Sequence, residues 1–190
     1  MSSAPPSILA RIVQQNIVHL RTDRPDKADA VFAALPDDWW STVQDASHLA
    51  WLPLDVDTQW DKAVYFALGR DDAYAYFRES IRTHLMGPWL AAILRPALAL
   101  AGRHPAKALK FADVGWQKSY RHNGRLWFET VSDREVMARW IDAPDPNTYM
   151  VLATAASLHA IFDILKLDAT QRTLPVDDEA PHTRSFRFQW

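Results

Sequence analysis

No cysteine occurs in this chain of 190 residues. That absence excludes a disulfide framework, a cysteine-ligated zinc site and a thiolate nucleophile, and it fits a reducing compartment. Glycine is scarce, with five residues scattered singly, so no glycine-rich phosphate loop can be assembled. No G-x-S-x-G step is present, and Ser119, Thr154 and Ser157 sit in no nucleophile elbow. Neither sign of charge dominates: 21 Lys and Arg stand against 23 Asp and Glu, for a net charge of −2. No basic run exists to track a phosphate backbone, so nucleic acid is not an expected partner.

Long hydrophobic runs are missing as well. The most apolar stretch is MGPWLAAILRPALALA at residues 86–101, and it carries Arg95 and Pro96. A membrane span needs roughly 20 apolar residues, so a buried or interface helix is expected here and no span. The opening MSSAPPSILARIVQQ lacks a basic segment followed by a long apolar one, so no signal peptide is expected. Together these absences predict a cytoplasmic protein.

What is present is apolar and aromatic. Hydrophobic residues make up 48% of the chain, enough for a proper core, and nine Trp predict that the core is aromatic-heavy. The length suits one domain over residues 1–190, with 1–38 as a helical N-terminal extension and 39–190 as the core. Apolar residues recur at helical spacing at Ile8, Ile12, Val13 and Ile17, and again at Ala73, Phe77, Ile81 and Leu85. Residues 57–68 and the apolar stretch after Pro88 read as further helices. After Pro105 the reading turns to strands over 114–122, 125–131 and 135–143. Asn123-Gly124 is read as a tight hairpin turn and Ser132-Asp133 as a second turn. Residues 148–167 form a long helix capped by Asn147 or Thr148, and strands follow near 172–176 and 183–190. The predicted class is α+β, with N-terminal helices packed on a small antiparallel sheet in the order ααα(α)-βββ-α-ββ.

The chemistry candidates are few. Asp55-x-Asp57 has the start of a calcium loop, yet Thr58-Gln59-Trp60 lacks its glycine and the closing Glu is missing, so a helix cap at Asp57 is the simpler reading. Asp72 and Glu79 share a helix face, but Arg78 and Arg82 beside Glu79 favour surface pairing. No metal site is expected, no catalytic residue is assigned, and the balance leans away from an enzyme. The aromatic set of Trp89, Trp116, Tyr120, Trp127 and Trp140 can fill a core or line a ligand cavity.

Several landmarks in order resemble a myxobacterial family of unknown function, itself distantly akin to haem–nitric-oxide-binding domains, vinyl-reductase-type domains and the small subunits of the TRAPP trafficking complex. They are Leu52-Pro53-Leu54, ALGRDDAYAYFRESI at 67–81, GPWLAAILRPAL at 87–98, the aromatic segment from Trp116 to Phe128, the helix after Pro146 and the terminal FRFQW. The resemblance covers roughly residues 39–190. It implies a helical half packed on a small sheet, with a hydrophobic cavity between them in some members. Haem-binding relatives use a helix His and a Tyr-x-Ser-x-Arg motif for the propionates. That motif is missing here; Lys118-Ser119-Tyr120-Arg121 has similar residues at another spacing. His84 and His159 are the helix histidines available. On this basis the expected cofactor is none, with haem unlikely.

The leading functional expectation is a non-enzymatic regulatory or adaptor domain that acts through a protein partner or self-association. The alternative is a sensor that binds an apolar or tetrapyrrole small molecule between the Trp89 helix and the 114–131 segment. A third reading is an enzyme on a hydrophobic substrate. Expected ligand-binding residues are His84, Trp89, Arg95, Trp116, Tyr120 and Trp127.

Overall fold

The structure is a computed structural model and describes residues 4–87, 105–144, 146–173 and 181–190. Trp89 and Arg95 therefore lie outside the described residues, as does most of the apolar stretch. The chain is α+β. It opens with a short strand β1 (Ser7–Leu9), followed by helices α1 (Ala10–Asp23), α2 (Pro25–Ala33) and α3 (Asp37–Gln44). Strand β2 (Trp51–Pro53) runs into α4 (Leu54–Leu68), and α5 (Arg70–Met86) follows. Helix α6 (Pro105–Ser119) leads to β3 (Tyr120–Arg121), β4 (Arg125–Ser132) and β5 (Glu135–Ile141). Helix α7 (Thr148–Ile164), β6 (Thr170–Thr173) and β7 (Arg184–Gln189) complete the order.

Local chemistry explains most boundaries. Pro25 occupies the first position of α2, where its missing N–H costs nothing, and it ends α1 because the preceding residue avoids helical angles. Gly69 separates α4 from α5 at φ 81°, a conformation that other side chains resist. Asn147 caps α7 by accepting from the backbone N–H groups of Tyr149 at 3.1 Å and Met150 at 3.0 Å.

Two antiparallel sheets result. A small one has the order β2-β1-β3, and the larger has β4-β5-β7-β6. The described residues form two apolar cores. The first gathers Ile8, Val13, Leu20, Val31, Trp39, Trp60 and Tyr76 from the N-terminal strand and helices, so the segment before residue 39 packs directly on α4 and α5. The second joins Leu109 of α6, Leu158 and Phe162 of α7, and Trp140, Phe186 and Phe188 of the larger sheet. Each such side chain contributes about 1.5–3 kcal/mol on full burial. Helix α7 serves both cores, with Ala156 in the first and Leu158 in the second.

The expected strand over 114–122 is mostly helix, and the start of the expected first helix is strand β1. Trp116 and Tyr120 are four residues apart, a spacing that fits one face of a strand and one face of a helix alike. Together with Ala108, Leu109 and Ala112 they continue a helical stripe that the aromatic alternation masked. Asn123-Gly124 is therefore no hairpin turn. It joins β3 of the small sheet to β4 of the larger one, and the Asn123 carbonyl accepts from both Trp116 Nε1 at 3.2 Å and Trp140 Nε1 at 2.8 Å. The tight turn of the sheet falls instead at Asp133-Arg134, between β4 and β5.

Candidate functional site

Helices α6 and α7 do not close fully on each other. Between them lies a cavity of about 150 Å³, bounded also by Ile12 of α1, Ile81 and His84 of α5 and Leu126 of β4. From α6 come Ala108, Phe111, Ala112, Gly115 and Trp116; from α7 come Thr154, Ser157, Leu158, Ile161 and Ile164. Small residues on the facing turns of α6 create the space: an added Cβ at Gly115 would meet nothing within 4 Å. A dry apolar cavity of about this size takes a benzene-sized guest.

His84 is the nitrogen donor on this wall. Its Nδ1 is buried and has no hydrogen-bond partner among the described residues. Burial lowers its pKa to about 4, and the neighbouring His19, whose ring centroid is 6.2 Å away, adds to the effect. The ring is therefore a neutral imidazole at physiological pH. Such a ring can donate, accept or ligate a metal. Lys118 is the cation on the described wall.

A second, smaller chamber of about 40 Å³ adjoins the first. It is polar. Asp57 and Asp61, one turn apart on α4, are buried with exposures of 4% and 5%. Tyr120 OH donates to Asp57 Oδ2 at 3.0 Å. Burial pushes the Asp57 carboxyl up to about 7, against which the Tyr120 hydrogen bond acts. Burial, then the neighbouring Asp57, drives Asp61 well above the usual carboxylate range. At neutral pH this pair keeps at least one proton. Sequence reasoning placed Asp57 at a helix cap or in a calcium loop and gave Asp61 no role. The i, i+4 spacing of two Asp on one helix flanking the buried Trp60 was the available signal.

Of the expected binding residues, the structure brings His84, Trp116 and Tyr120 to the cavity wall. Trp116 and Tyr120 stack with ring centroids 4.4 Å apart. Trp127 is not brought there: it is 41% exposed on β4, with the Arg139 guanidinium 5.0 Å from its ring. His159 is buried elsewhere, with Nδ1 2.7 Å from Tyr74 OH, and its neighbour Asp163 takes Arg78 in a two-point ion pair. Asp72 and Glu79 pair with Arg24 and Arg82, which fits the surface reading.

No family model and no curated protein matches the chain. Solved structures do match along nearly its whole length. One, from work on haem distortion in the H-NOX family, superposes with a TM-score of 0.66 at 15% identity, covering 96% of this chain and 95% of that one. An Fe(II) unliganded H-NOX mutant from K. algicida gives 0.66 at 8% identity, with 96% of each chain covered. An H-NOX mutant from T. Tengcongensis gives 0.61 at 14%, covering 96% of this chain and 97% of that one. At these identities the likeness is one of fold. It overturns the expectation that no cofactor is involved and haem is unlikely: the fold shared over 96% of the chain is that of haem domains, so a missing propionate motif is no ground for setting haem aside.

The residues present suit such a group in their chemistry. The wall is apolar, as a porphyrin face requires, and the orphaned Nδ1 of neutral His84 would be a competent nitrogen ligand. Typical ligand pockets measure roughly 300–1,000 Å³, so a macrocycle would need α6 and α7 to part further, whereas a smaller apolar molecule fits the space as it stands.

Proposed function

We propose that this protein is a sensor domain that holds an apolar or tetrapyrrole molecule between α6 and α7. The observation that carries the reading is an apolar cavity with one buried, unpartnered imidazole nitrogen in its wall. The shared fold with haem domains supports it. The adaptor reading has less support, since the apolar stretch on which it rested lies outside the described residues.

The chain's own residues would act as follows. Phe111, Leu158 and Ile161 exclude water from the guest, and His84 presents an uncharged nitrogen to it. Lys118 offers a cation to an acidic substituent. A haem, when bound, supplies an iron centre able to take a further small ligand. Occupancy is felt in the sheet because Trp116, on the cavity wall, donates to the Asn123 carbonyl that also holds Trp140 of β5. A guest that wedges α6 outward loads this shared acceptor.

The test is titration of the protein with hemin and, separately, with toluene, followed by absorption and calorimetry. Saturation at one equivalent by either guest is expected, with loss of binding in Gly115→Leu, which fills the cavity. In the hemin arm, His84→Ala should shift the Soret band. Absence of stoichiometric binding by both guests would overturn the reading.

A further inference from the structure

The polar chamber beside the cavity has a feature that core packing does not explain. Asp61 is 95% buried, lines the chamber and makes no hydrogen bond among the described residues. Among the described residues no Arg, Lys or His lines the chamber with it. Asn16 and Thr154 also line it, and the other hydroxyls are already committed as donors elsewhere. Tyr120 OH gives its proton to Asp57, Ser80 Oγ gives its proton to Asn16 Oδ1, and Ser157 Oγ gives its own to the Ala153 carbonyl. The chamber thus presents two buried carboxyls with no positive charge facing them among the described residues, an arrangement that disfavours their ionisation unless something supplies one. Chamber and cavity share Ile12, Ile81, Trp116, Tyr120, Thr154 and Ser157 in their walls, so one molecule can reach from one into the other.

We propose that the chamber seats the head group of the cavity's ligand, and that this head is a hydrogen-bond donor or a cation of the amine type, carried on an apolar body. This rests on the reading of the α6–α7 cavity as a ligand site and adds the ligand's chemistry. The volume of about 40 Å³ suits a head of one or two heavy atoms. An ammonium there faces Asp57 and Asp61 together, whereas a carboxylate would meet two acids and no positive charge among the described residues. Among the described residues no third His, Asp or Glu joins the pair in a metal-binding group. Binding of the cation ionises an acid that was protonated, so the proton leaves to solvent.

Calorimetry of the whole protein with benzylamine, toluene and benzoate tests this at pH 6, where the Asp57 carboxyl, raised to about 7, still holds its proton. Two buffers of different ionisation enthalpy count protons. Benzylamine is expected to bind at least tenfold more tightly than toluene, with benzoate weakest and about one proton released per amine bound. Asp61→Asn should remove the amine preference and leave toluene binding unchanged. Toluene binding within threefold of benzylamine, or amine binding without proton release, overturns the head-group assignment while the cavity reading stands. If none of the three binds, the cavity reading itself fails and takes this inference with it. Should Asp61→Asn not fold, the proton count on the wild-type protein decides.

Discussion

Replacing Asp57 by Asn should make the protein less stable in acid and more stable in base. The Asp57 carboxyl titrates at an ordinary value of 3.8 when unfolded and at about 7 when folded, because burial disfavours its charge. The unfolded chain therefore gives up this proton first as pH rises. The stability tied to the group is full below about pH 4 and drains away as pH climbs to 7. At ~1.36 kcal/mol per pH unit, the loss is about 4 kcal/mol. Asn cannot titrate. It keeps an oxygen for the Tyr120 hydroxyl but buries an amide with no partner, at a cost of about 1–3 kcal/mol. The groups facing the site are Tyr120 from β3, Asp61 on the same helix and Tyr76 from α5, and both tyrosines have pKa values raised by burial, so they stay neutral throughout. Wild-type stability alone would blur the effect. His84, lowered to about 4, contributes the opposite slope between pH 4 and 6.5, worth about 3 kcal/mol. The difference between variant and wild type removes that contribution. Urea unfolding at pH 4, 6 and 8 should show the variant less stable by about 1–3 kcal/mol at pH 4 and more stable by a similar amount at pH 8. A difference that stays constant within 1 kcal/mol across this range would refute the claim that Asp57 holds a buried proton.

Four further outcomes follow from local geometry. A Cβ on Gly124, at φ 66°, would stand 2.2 Å from the Ile141 carbonyl oxygen, so Gly124→Ala should cost about 3 kcal/mol or more in urea unfolding. Gly69→Ala, at φ 81° with open space around it, should cost about 1–2 kcal/mol by the same assay, and equal losses at the two sites would contradict the steric account. Asn147→Ala removes the α7 cap and should cost about 1 kcal/mol, visible as a lower urea midpoint. Gly115→Leu adds a good helix former inside α6 and should gain up to about 0.8 kcal/mol while abolishing toluene binding; retained binding would place the guest elsewhere.

Much of the helical half was legible because its signals are local. Pro25, Gly69 and Asn147 punctuate the chain through their own backbone chemistry, and the Ile12–Val13–Ile17 stripe repeats at the period of a helix. The β4–β5 pairing was legible from the alternation of Val136, Ala138 and Trp140, all fully buried on one face. The segment 114–119 was not, because spacings of two and four both fit Trp116, Lys118 and Tyr120, and a glycine at position 115 weakens a helical reading. Only the fold decides that Ala108, Leu109 and Ala112 precede them on one continuous stripe. Part of the candidate site was named in advance. His84, Trp116 and Tyr120 were named from chemistry and proximity to the apolar stretch, and they meet at the cavity. Asp61 was passed over because an acidic residue on a helix is ordinarily solvated, and the Tyr120 that bonds its neighbour Asp57 lies 63 positions beyond that acid in the sequence. No local pattern carries the Tyr120–Asp57 pairing. Trp127 was included because a Trp counts as core material, yet its strand face is the outer one, and Arg139 covers the ring instead.

The placement of the cavity follows from how the two cores meet. Tyr120 packs against both of them, and α7 supplies residues to each. A side chain shared between two cores cannot be optimised for either, and the gap between α6 and α7 opens beside it. Its hydroxyl points to Asp57 while its ring stacks on Trp116, so this residue touches both the polar chamber and the apolar cavity. A guest large enough to move the ring would strain the hydroxyl's bond to Asp57. For such a guest, cavity occupancy and Asp57 protonation would be linked, and by thermodynamic reciprocity each would report on the other. A ligand that engages both chambers draws on that linkage directly, whereas a guest confined to the apolar side reaches the acids through Tyr120 alone.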